Sequence, residues 1–131
     1  MLEREPYGDN LEEIKIDNDL VCIIESVKNP NCHIFHTPFE ISDSSISSFY
    51  RPLTGDDNER LNELGETGKE LIERVFDING ITEALITPYR LSIIRATCFD
   101  WESLDPQIVE ILKEILKEQQ GWAKFKKFIE D

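Results

Sequence analysis

This sequence predicts a two-layer α+β domain in the order β-β-α-β-β-α, with a mainly antiparallel four-stranded sheet covered by two helices. Three observations predict it. Two β-rich runs flank the turn tetrapeptide Lys28-Asn29-Pro30-Asn31, and two more flank Thr87-Pro88-Tyr89-Arg90. Apolar residues recur at helical spacing over 61–76 and again over 108–116. Hairpins alternating with helices belong to α+β layers rather than to parallel sheets. The length of 131 residues suits one domain, and 40% hydrophobic with 31% charged residues gives enough apolar material for a core without disulfide or metal staples.

In chain order, residues 1–18 are acidic and weakly periodic, and they read as a lead-in, open to flexibility, ahead of a single domain over 19–131. Leu20 to Val27 is a continuous β-branched run, as in a covered strand. The turn follows, where Asn tolerates unusual backbone angles and Pro withholds a ladder donor, and then a second strand from Cys32 to Thr37. Residues 42–58 are rich in Ser, Asp and Gly and read as an irregular connection. Leu61, Leu64, Leu71, Ile72, Val75 and Phe76 fall on one helical face, interrupted by Gly65 and Gly68. Thr67 with Glu70 has capping-box spacing and predicts a firm start there; Asn79-Gly80 predicts the exit. In the second hairpin, Thr87 opposite Arg90 would pair Ile86 with Leu91 and Ala84 with Ile93, leaving Glu83, Leu85, Ser92 and Ile94 on a mixed face. Asp105-Pro106 predicts the start of the last helix, and Gly121 its end. The remaining 121–131 segment is short, basic and amphipathic, with Trp122, Phe125 and Phe128 interleaved with lysines.

Charge narrows the partners. The net charge is −13, and residues 1–70 carry 16 acids against 6 bases. Such a field repels phosphate, which argues against nucleic acid and against an anionic membrane surface. No apolar run approaches bilayer-spanning length, and the first residues lack the apolar stretch of a secretory signal, so a cytoplasmic protein is expected. The expected partner is another protein, with the chain a monomer or a weak homodimer. Its surface candidates are the 42–58 connection and the mixed face of the second hairpin.

Three cysteines, Cys22, Cys32 and Cys98, form no C-x-x-C and fit reduced thiols. Candidate metal ligands are Cys22, Cys32 and His36. Cys32 and His36 share a strand face about 13 Å apart, too far for one ion, since zinc bonds are about 2 Å. Cys22 and His36 would approach only if the hairpin register brought them together. No cofactor and no catalytic residue are expected. Cys98 lies beside Asp100, which disfavours a thiolate; the doublets Glu12/Glu13 and Asp56/Asp57 lie in expected loops; and Gly65-Glu66-Thr67-Gly68 lacks the spacing of a phosphate loop.

Three stretches carry a family resemblance. Asn29-Pro30-Asn31 with Cys32-His33-Ile34-Phe35 is similar to the N-P-N-x-x-K-F hairpin of the N-terminal domain of NifU-like (Nfu) iron–sulfur scaffold proteins. Glu70 to Phe76 followed by Asn79-Gly80-Ile81 resembles that family's helix and strand entry. Asp100-Trp101-Glu102-Ser103-Leu104-Asp105-Pro106-Gln107-Ile108 resembles its D-W-x-x-L-x-P-x-[IV] helix opening. Together they span about residues 20–118. Ile34 replaces the usual Lys, only Arg95 approximates the basic position of the F-I-T-V-T-K strand, and the C-terminal C-x-x-C cluster domain is absent from this sequence. The resemblance implies a stand-alone domain of this type, a non-catalytic interaction or accessory module near iron–sulfur cluster assembly. Two alternatives stay open: a metal or cluster carrier using Cys22, Cys32 or Cys98 across an oligomer, and an unrelated function on the same fold.

Overall fold

A computed structural model describes residues 4–6, 10–16 and 20–130, with side chains for 10–16 and 20–119. The described strands number seven rather than four: six of four or more residues and one three-residue edge. They are β1 (Arg4–Pro6), β2 (Leu11–Lys15), β3 (Val21–Ser26), β4 (Cys32–His36), β5 (Ser47–Tyr50), β6 (Ile81–Thr87) and β7 (Arg90–Arg95). All pair antiparallel in the order β1-β2-β3-β4-β7-β6-β5. The helices are α1 (Asn58–Glu63), α2 (Gly65–Phe76) and α3 (Trp101–Glu130), with a 3₁₀ turn at Gly55–Asp57.

Both hairpins form as expected. Ile24 faces Phe35 in the first; Ile86 faces Leu91 and Ala84 faces Ile93 in the second. They join along β4 and β7, where Phe35 meets Leu91. The extra strands come from stretches that read as irregular. Residues 11–15, assigned to the acidic lead-in, form β2 because Ile14 and Ile16 are buried and the stretch pairs into the ladder of β3, while Glu13 and Lys15 alternate to the other face and Glu12 shares the face of Ile14. Two apolar residues suffice when a neighbouring strand supplies the ladder. β5 arises inside the 42–58 connection, around Phe49, which faces Ala84 and is fully buried.

One face of the sheet and the inner faces of the helices make a single core. Ile14, Cys22, Ile24, Phe35, Leu91 and Ile93 lie on that sheet face, against Leu71, Ile72 and Val75 of α2 and Ile108, Val109, Leu112 and Ile115 of α3. Leu61 and Leu64 of α1 join them, so the helical face read from sequence is the buried face. The helix boundaries differ from expectation. Gly65, at φ +84°, is the joint between α1 and α2, and α2 begins there rather than at Thr67. Thr67 does not cap; its hydroxyl oxygen accepts from Gln119 Nε2 at 3.2 Å. α3 begins four residues before Asp105, and Pro106 sits inside it; near a helix start, few intrahelical bonds exist for proline to remove. The helix also continues through Gly121 to Glu130, since one glycine lowers helix stability by only about 1 kcal/mol. The side chains of 121–131, expected as an amphipathic tail, lie outside the described residues.

Gly80 ends the turn after α2 at φ +102°, and a Cβ there would lie 2.5–2.9 Å from the Phe99 ring. Gly80→Ala meets both the left-handed backbone and the ring. It is expected to lower the melting temperature by more than the few degrees that correspond to about 1 kcal/mol, as read by thermal unfolding. Arg51 ties the end of β5 to the same turn, donating to the carbonyls of Ile81 (2.6 Å), Phe76 (2.5 Å) and Ile78 (2.8 Å). One side chain thus satisfies carbonyls that the end of α2 leaves open.

Candidate functional site: a helix-free sheet face beside a locked junction

Side chains alternate across a strand, so the face turned away from the helices is fixed by the pairing register. It carries Val21, Ile23 and Glu25 of β3, Cys32, Ile34 and His36 of β4, Arg90, Ser92 and Ile94 of β7, and Glu83, Leu85 and Thr87 of β6. Tyr50 of β5 lies beside Glu83 and is 57% exposed. None of these residues is fully buried, and Val21, Ile23, Ile34, Leu85 and Ile94 are half-buried. The mixed face expected of the second hairpin is therefore one end of a wider surface that continues across β4 to β3. Among the described residues, no helix packs on it. The face is a branched-chain apolar band edged by Glu25, Glu83 and Arg90. Of the 42–58 connection, Ile46 and Tyr50 are exposed, whereas Phe49 is core.

The two most distinctive sequence motifs meet at one end of the sheet. Trp101, the first residue of α3, stacks on His33 with ring centroids 3.9 Å apart and planes 8° from parallel. Its indole N–H donates to the carbonyl of Pro30 at 2.8 Å, and the Arg95 guanidinium lies 5.2 Å from its ring centroid. Arg95 Nη1 also donates to the carbonyl of Phe99 at 2.8 Å, and Nε donates to Asn31 Oδ1 at 3.3 Å. Asp105, expected as a helix cap, is fully buried and faces His33 Nδ1 at 3.1 Å. The N-P-N turn and the D-W-x-x-L-D-P helix opening thus form one lock between hairpin and helix. Spacing gives no hint of it, because the partners lie about 70 residues apart in sequence.

The structure does not bring the candidate ligands together. Register sets His36 opposite Ile23, so Cys22 leaves from the other face. Cys22 is in the core and Cys32 is half-buried on the open face, about 17 Å further along the hairpin by strand rise. Cys98 is exposed in the loop before α3. His36 Nε2 bonds Glu25 Oε1 at 2.8 Å across the open face. Among the described residues, no group of three or more His, Cys, Asp or Glu is placed to hold a metal ion.

Burial pushes the Cys22 thiol from its ordinary value of 9.0 up to about 12, with the Asp105 carboxylate adding to the effect. Cys32 is raised by burial and by Glu25 and Glu83. Because the folded chain keeps the Cys22 proton above the pH at which the unfolded chain loses it, this thiol favours folding up to about pH 9 and loses that advantage as pH rises toward 12. The loss is on the order of 4 kcal/mol at the upper limit. Cys22→Ala is expected to flatten the alkaline fall in stability measured by urea unfolding between pH 9 and 11.

A groove of about 260 Å³ between α2 and α3 is lined by Glu66, Thr67, Glu70, Ile115, Glu118 and Gln119. Glu70 is raised by burial, then by its hydrogen bond with Glu118 and by the charges of Glu118 and Glu114, against the pull of Arg74, which pairs with Glu114. The folded state therefore favours a proton on Glu70, and this preference is lost as pH rises to neutrality. Glu118→Gln removes the repulsion. It is expected to raise the melting temperature by about 1–2 °C at pH 7 and not at pH 4.

Residues 22–119 match the family model described as scaffold protein Nfu/NifU N terminal. Two solved structures are similar. A NifU-like protein from Saccharomyces cerevisiae, solved by NMR, has TM-score 0.59 and 16% identity, covering 87% of this chain and 90% of that one. Protein SAV1430 from Staphylococcus aureus has TM-score 0.48 and 11% identity, covering 68% of this chain and 93% of that one. No curated protein matches the sequence. None of the described helices is long and apolar enough to cross a membrane. With the family's own motifs assembled into one structural lock and three quarters of the chain matched, this chain belongs to the Nfu/NifU N-terminal family.

Proposed function

We propose that this chain is an interaction module whose part in iron–sulfur cluster assembly in the cytoplasm is non-catalytic, and that it engages a protein partner through the helix-free face of its sheet. The supporting observation is the half-exposed apolar band Val21, Ile23, Ile34, Leu85 and Ile94. Family membership supplies the link to cluster assembly. The carrier alternative draws no support from the thiols: one is held protonated in the core and the other two lie apart from it.

Ile34→Glu with Ile94→Glu tests the surface, because both side chains are partly solvated and the change leaves the core intact. Wild-type chain used as bait is expected to enrich iron–sulfur assembly proteins, and the double variant to lose at least 90% of that enrichment while keeping its melting temperature within a few degrees. Equal enrichment by the two baits overturns the surface, and no enrichment of such proteins by wild type overturns the role. Anaerobic reconstitution is expected to leave the chain colourless. Stoichiometric, cysteine-dependent iron would establish the carrier reading instead.

A further inference from the structure

His33 faces two partners, and the lock uses only one ring nitrogen. Nδ1 faces the buried carboxylate of Asp105 at 3.1 Å; Nε2 lies 3.3 Å from Oγ of Ser26. A carboxylate only accepts, so the neutral ring places its proton on Nδ1 and leaves Nε2 as acceptor for the Ser26 hydroxyl. The stack on Trp101 fixes the plane of the ring. Ser26 ends β3 and is exposed, so its oxygen is reachable from solvent. Nucleophile, base and buried orienter are the three parts that activate a serine.

We propose that Ser26, His33 and Asp105 form an activated-serine site that hydrolyses small carboxylic esters with good leaving groups. Ser26 Oγ attacks the ester carbonyl carbon and its proton passes to His33 Nε2. The carbon–oxygen bond to the leaving group breaks, and the departing oxygen takes that proton. Water then attacks the acyl carbon, gives a proton to Nε2, and the carboxylic acid leaves as Ser26 regains its hydrogen. Asn10 Nδ2 donates to the Ser26 carbonyl at 3.2 Å and so steadies the strand end that carries the serine. General-base assistance of this kind contributes about 10²–10⁴-fold. Small activated esters are the class that fits, because an exposed strand end offers no cavity to grip a long acyl chain or to push out a poor leaving group. This activity is independent of the interaction role.

The full chain is treated with a fluorophosphonate probe and, separately, with p-nitrophenyl acetate. Expected are one adduct on the peptide containing Ser26, a burst of about one equivalent of nitrophenol, and loss of both in Ser26→Ala. His33→Gln keeps a donor for Asp105 but gives up both the base and the stack on Trp101; in the folded variant labelling is expected to fall at least 100-fold. Asp105→Asn, which keeps an acceptor for the imidazole N–H but removes the carboxylate charge behind the base, is expected to lower labelling as well, a readout that holds even if His33→Gln unfolds. No adduct, an adduct on another residue, or undiminished labelling in folded His33→Gln or folded Asp105→Asn each overturns the proposal.

Discussion

Asp105→Ala is expected to lower folding stability by about 2–3 kcal/mol, the upper range for removing a charged acceptor and leaving a buried donor unsatisfied. Asp105 has no exposed surface, and His33, its partner at 3.1 Å, is itself only 13% exposed. The damage spreads because His33 also carries the stack with Trp101, and Trp101 holds the Pro30 carbonyl. Asp105→Asn keeps an acceptor for the imidazole N–H and is expected to cost about half as much. Urea unfolding followed by circular dichroism checks both. A loss below about 1 kcal/mol in Asp105→Ala would show that the junction is not the lock described here.

The second large effect is Phe35→Ala, at about 3–5 kcal/mol, or a fall of roughly 10–20 °C in melting temperature. Phe35 has no exposed surface and lies between Ile24 on β3 and Leu91 on β7, where the two hairpins join. Neighbouring strands cannot shift to fill the space without breaking their ladders, so the cavity persists. Ile34→Ala, one residue away on the open face, is expected to cost under about 1 kcal/mol. That contrast separates a core position from a solvated one on the same strand.

The open face explains why the expected site was legible only in part. Alternation in the second hairpin gave Glu83, Leu85, Ser92 and Ile94 one common face, and the pairing of Ile86 with Leu91 made the register firm. Nothing in the sequence joined that face to Ile23, Ile34 and Cys32, because the joint is the non-consecutive pairing of β4 with β7. The thiols show the converse: apolar neighbours suited a buried Cys22, and it is buried, while the possible approach of Cys22 to His36 hung on a register that sets Ile23 there instead.

The sequence by itself determined the α+β class, both hairpins with their turns, the apolar faces of the helices and the family. Each of these is written in residues near one another, where propensity, turn chemistry and periodicity act. Only the tertiary structure decided the seven-stranded order, the strands β2 and β5, the start of α3 ahead of Asp105, and the lock of His33, Trp101 and Asp105. Short strands of mixed polarity form because a neighbour supplies their hydrogen bonds and cover. A buried carboxylate exchanges a cap position for a hydrogen bond to an imidazole because its histidine arrives from a hairpin 72 residues earlier in the chain.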